Sequence, residues 1–95
     1  MMLTRIVRLS FEPSKVEEFK VIFNNSKNKI ESFEGCNGVQ LMQDVDKENV
    51  FYTYSSWEGK EFLDAYRHSE LFEGVWKATK ALFNDKPLAY SLKKV

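Results

Sequence analysis

Residues 39–57 read Val-Gln-Leu-Met-Gln-Asp-Val-Asp-Lys-Glu-Asn-Val-Phe-Tyr-Thr-Tyr-Ser-Ser-Trp. Val39, Leu41 and Gln43 alternate with Gln40, Met42 and Asp44, the period of two expected where the two faces of a strand differ. Asp46-Lys47-Glu48-Asn49 is a polar link short enough for a hairpin. Beyond it, Val50 to Trp57 is rich in the β-formers Phe51, Tyr52, Thr53 and Tyr54. Residues 39–45 and 50–57 are therefore expected as neighbouring antiparallel strands at the centre of the chain.

Toward the N-terminus, Leu3 to Phe11 alternates again, with Leu3, Val7, Leu9 and Phe11 on one face and Arg5 and Ile6 breaking the rule. Ser14-Lys15-Val16-Glu17 has the form of a capping box. Val16, Phe19, Ile22, Phe23, Ser26, Ile30 and Phe33 then recur at helical spacing, with Gly35 placed for a left-handed C-terminal residue. A helix of about 20 residues is expected, roughly 30 Å long at 1.5 Å per residue. Toward the C-terminus, helical spacing returns with Phe62, Leu63 and Tyr66, pauses at His68-Ser69, and resumes with Phe72, Val75, Trp76, Thr79, Leu82 and Phe83. Ser69 suits an N-cap, and Lys77 and Lys80 suit the negative end of the second piece. Pro87 opens a last strand in which Leu88, Tyr90 and Leu92 alternate with Ala89, Ser91 and Lys93.

Strand, helix, strand, strand, helix, strand is the split βαβ order, which predicts an α+β, ferredoxin-like βαββαβ domain over residues 1–95, both helices on one face of a four-stranded antiparallel sheet. The other sheet face, with Ile6, Met42 and aromatics of the third strand, is left bare. A homodimer through that face is expected.

The 14 basic and 14 acidic residues cancel, so no overall field recruits nucleic acid or an anionic membrane. Residues 44–73 nevertheless hold eight acids against three bases, and residues 77–95 five Lys against Asp85, complementary surfaces for two copies of the chain. Eight Phe, four Tyr and two Trp in 95 residues exceed what a thin core hides easily, which points to a pocket or a partner surface. Cys36 is the only cysteine, excluding a disulfide framework, and a reducing cytoplasm is the default. No apolar run approaches a membrane span or a signal-peptide core.

GxGxxG, GxxxxGK[ST], HExxH, CxxC and GxSxG are all missing, so no bound metal or nucleotide cofactor is expected. His68, at the break in the second helical region, is the candidate proton carrier; its alternative reading is a residue that decorates a helix junction. Trp57, Tyr66 and Trp76 offer flat, weakly polar surfaces to an aromatic ligand, or else fill the core. Cys36 reads as a small buried apolar residue.

Four segments carry a resemblance: Pro13-Ser14-Lys15-Val16-Glu17-Glu18-Phe19, Phe33-Glu34-Gly35-Cys36-Asn37-Gly38, Ser56-Trp57-Glu58, and Tyr66-Arg67-His68-Ser69-Glu70-Leu71-Phe72. In this order they make the chain from Val7 to Val95 resemble the antibiotic biosynthesis monooxygenase family of dimeric α+β barrels. The resemblance implies small dimers, several of which oxygenate polycyclic phenols or quinols with O2 and neither metal nor flavin, the substrate supplying the electrons. The haem-degrading branch is disfavoured, because its Asn, Trp and His positions match Val7, Tyr66 and Trp76 here.

The combined expectation is a cofactor-independent monooxygenase acting on a small aromatic, phenolic or quinol-like compound. Its pocket would lie between the sheet and the second helical region, lined by Val7, Trp57, Tyr66, Phe72 and Trp76, with His68 as proton carrier. The alternatives are a non-catalytic dimeric module binding a hydrophobic metabolite, or an isomerase or lyase pairing His68 with Glu70 or Glu73.

Overall fold

The computed structural model describes residues 2–95. Its elements are β1 (Leu3–Ser10), α1 (Val16–Glu31), β2 (Cys36–Gln43), β3 (Val50–Trp57), α2 (Lys60–Arg67), α3 (Glu70–Lys80) and β4 (Leu88–Leu92). The strands form one antiparallel sheet in the order β2-β3-β1-β4, the ferredoxin-like arrangement that the split βαβ order predicts. No helix is long and apolar enough to cross a membrane among the described residues.

Pairing register sorts the side chains. Leu3 lies opposite Trp57, Arg5 opposite Ser55, Val7 opposite Thr53 and Leu9 opposite Phe51, and this set faces the helices. Thr4, Ile6 and Arg8 pair with Ser56, Tyr54 and Tyr52 on the opposite face.

The core is aromatic at both ends. Phe11 stacks on Phe19 with centroids 4.1 Å apart and meets Phe51 and Phe83 at 6.0 and 5.4 Å. At the other end Trp57, Tyr66 and Phe33 form a second group, continued through Phe72 and Trp76. A contact of 5.6 Å between Trp76 and Phe83 joins the two. Each fully buried ring contributes roughly 1.5–3 kcal/mol through removal from water.

Three local expectations are corrected. Ser14 makes no cap: Pro13–Lys15 is a short 3-10 turn, α1 starts at Val16, and its 16 residues fall short of 20. The fixed φ of Pro13 suits that tighter turn, in which the Lys15 amide donates to Glu12 O at 2.8 Å. Gly35 does take a positive φ of 83°, but three residues past the C-cap Ser32 rather than at it. Strand β2 begins at Cys36, with a register shift before Val39 where Gly38 has φ 135°. It stops at Gln43 because the Asp44 carboxylate accepts from the amides of Asp46 and Lys47 at 2.9 and 3.0 Å, which starts the turn early. Those two amides also hold the Asp44 carboxyl below its ordinary pKa.

Candidate active site

The break in the second helical region is built by Ser69. Its hydroxyl donates to Tyr66 O at 2.6 Å, the last turn of α2, and accepts from the Phe72 amide at 3.1 Å, the first turn of α3. One side chain thus ends one helix and caps the next. The join sets Tyr66 against Phe72, edge to face at 5.3 Å. Tyr66 in turn stacks on Trp57 at 5.0 Å and 30°, and Phe72 lies nearly parallel to Trp76 at 5.7 Å. Trp57 is fixed from its polar side, since Nε1 donates to Ser55 Oγ at 3.0 Å.

These rings form one wall of a cavity of about 280 Å³ between the helices and the inner sheet face. Ligand pockets run roughly 300–1,000 Å³, so this space stands near the lower end of that range and has room for an aromatic ring system. Val7, Trp57, Tyr66, Phe72 and Trp76 all line it. Phe19, Phe23 and Ile30 of α1 also line it. They share one face of that helix, so the cavity is covered by both helical regions and not by the second alone. The polar and charged residues of the lining are few: Thr53, Ser55, Tyr66, Thr79, Arg5 and Arg67.

Burial, with a smaller effect from Cys36, pushes the Tyr66 phenol up to about 12, so it stays protonated at any physiological pH. Burial likewise pushes the Cys36 thiol up, which makes it a poor nucleophile.

His68 is not brought to the cavity. It is the exposed C-cap of α2, its Nδ1 lies 2.7 Å from Asp64 O, and it is absent from the cavity lining. Its place two residues after Tyr66, about 200° around a helix of 3.6 residues per turn, sends it outward when Tyr66 points inward. No Asp or Glu lines the cavity either, so the pairing of His68 with Glu70 or Glu73 has no geometry behind it there.

The model of the family described as antibiotic biosynthesis monooxygenase matches residues 2–77, from β1 into α3. The chain belongs to this family. Among solved structures, a conserved protein from Methanosarcina mazei Go1 shares its fold with a TM-score of 0.95 at 16% identity, covering 100% of this chain and 94% of that one. A mutant of SnoaB, a cofactor-independent oxygenase from Streptomyces nogalater, gives a TM-score of 0.87 at 16% identity, covering 98% and 92%. No curated protein matches the chain. The family match covers the cavity lining supplied by β1, α1, β2, β3, α2 and α3 as far as Trp76, while Thr79, Pro87 and Ala89 complete the lining beyond it.

Proposed function

We propose that this monooxygenase-family chain oxidises a small aromatic, phenolic or quinol-like compound with O2, holding it in the 280 Å³ cavity against Trp57, Tyr66 and Trp76. The aromatic enclosure carries the reading. It excludes water from a ring, stacks it, and presents few polar groups beyond a Tyr66 phenol that can donate but does not ionise. In such a reaction an anthrone-type ring CH2 and O2 become a ring C=O and water, or a hydroquinol and O2 become a hydroxyquinone and water; the electrons come wholly from the substrate, and the protein's part is to orient and desolvate. Oxygen uptake with a panel of hydroquinols and anthrones tests this: catalysed consumption is expected, and uptake at the uncatalysed rate throughout the panel overturns it.

The absence of any carboxylate or imidazole from the cavity lining favours a second reading, a binding module without turnover. Native mass spectrometry of protein purified from cells separates the two. A co-purified ligand released unchanged after incubation in air supports binding, and an oxygenated product supports catalysis.

The functional unit is proposed to be a homodimer in a reducing cytoplasm. Its contact would be the outer sheet face, where Ile6 sits between Tyr54 and Tyr90 and where Met42, Leu88 and Leu92 are also exposed. Ile6→Asp is expected to convert a dimer to the 11.2 kDa monomer in sedimentation. A wild-type chain that sediments at that mass would remove the dimer.

A further inference from the structure

One inward position of β1 defies its surroundings. Leu3, Val7 and Leu9 face the helices as the alternation requires, and Arg5 stands among them, opposite Ser55 and Ser91. Arg5 is half-buried on the helix-covered face, so its guanidinium loses part of its hydration, a cost that a carboxylate ordinarily offsets. Among the described residues Arg5 has no carboxylate within 4.0 Å; its guanidinium donates to the Ser91 hydroxyl at 2.8 Å. Arg8, on the other face, reaches Asp85 at 3.8 Å. A second arginine, the exposed Arg67, ends α2 one residue after Tyr66 and is among the residues lining the same cavity, and it too lacks an ion pair among the described residues. The two cations are close enough to act on each other. Burial first and Arg67 second lower the pKa of Arg5, and Asp64 opposes them. Two like charges at an apolar cavity, neither in an ion pair among the described residues and with Asp64 acting on Arg5 only from a distance, leave a place for an anion.

From this arrangement we infer that the ligand is a small aromatic anion, its ring among Trp57, Tyr66 and Trp76 and its negatively charged oxygen at Arg5 and Arg67. The inference rests on the cavity reading above and narrows it to rings bearing a carboxylate or an ionised phenol. The second kind bears on the chemistry, since a phenolate gives up electrons to O2 more readily than its phenol does.

Isothermal titration at pH 7 with 2-naphthoate and its neutral analogue 2-naphthamide tests the charge requirement. The carboxylate is expected to bind at least tenfold more tightly, as charge-assisted hydrogen bonds allow, and its advantage should shrink with added salt. Arg5→Gln should bring the two affinities together while leaving that of the amide unchanged. Arg5→Lys should restore part of the difference, and Arg67→Gln, at an exposed position that folding tolerates, should reduce it. For the phenolate, 4-nitrophenol is titrated by its colour in the presence of saturating protein, and a fall of about one pKa unit on binding, a tenfold preference, is expected. Preference for naphthoate alone assigns a carboxylate, and the nitrophenol shift alone assigns a phenolate. Equal affinity for naphthoate and naphthamide together with an unshifted nitrophenol overturns the anion site and leaves the aromatic cavity standing. No binding of any probe overturns both.

Discussion

Trp57→Ala is expected to lower stability by about 3–5 kcal/mol, the usual range for removing a buried large aromatic, against a total of roughly 5–15 kcal/mol for a domain. Trp57 is 1% exposed. Its ring stacks on Tyr66 at 5.0 Å and meets Phe33 edge-on at 6.5 Å. The truncation also withdraws the indole donor from Ser55 Oγ. Because Trp57 already borders the 280 Å³ cavity, the lost volume joins existing space, and the surroundings have little means of collapsing onto it. Trp57→Phe separates the contributions: it retains ring stacking and loses the hydrogen bond, so a cost nearer 1 kcal/mol is expected. Urea unfolding followed by far-UV circular dichroism measures both without relying on the missing fluorophore. A loss below about 1 kcal/mol for the alanine variant would show that Tyr66 and Phe33 hold the site without it.

Much of this architecture is legible from short-range patterns. The bounds of β3, Val50 to Trp57, follow from its β-forming run, and the cap at Ser69 follows from the pause between two helical stripes. Val7, Trp57, Tyr66, Phe72 and Trp76 converge because the strand period and the helix period each turn them toward one space. Other features depend on groups that pattern reading ignores. Strand β2 ends early because a side-chain carboxylate, Asp44, captures two amides. Helix α1 starts late because a 3-10 turn at Pro13 competes with the capping box. His68 attracts attention as the lone imidazole, yet its angle from Tyr66 around the helix already argues against the cavity. Arg5 and Ile6 break the alternation of β1, and register explains both: Arg5 belongs to the cavity and Ile6 to the exposed sheet face. A broken pattern here marks positions answering to something other than the core.

Gly35→Ala is expected to cost about 2–5 kcal/mol, from two sources that can be measured apart. At φ 83° a residue with a Cβ carries a strain of roughly 1–2 kcal/mol. The added methyl would also overlap Cβ, Cγ and Cδ1 of Phe62, and overpacking of this kind adds about 1–3 kcal/mol. The backbone has little room to yield, because Gly35 O accepts from the Glu58 amide at 2.8 Å and so ties the turn after α1 to the end of β3. Phe62 is partly exposed, so the easier response is for its ring, and the first turn of α2 with it, to shift outward. Tyr66 lies one turn further along α2. The substitution should therefore weaken binding of an aromatic probe in the cavity as well as stability. A double-mutant cycle with Phe62→Ala distinguishes overlap from strain. In that background Gly35→Ala should cost only the backbone share of roughly 1–2 kcal/mol and should no longer affect probe affinity. Equal costs in the two backgrounds would assign the whole effect to the left-handed conformation and show that α2 is not held in place through Gly35.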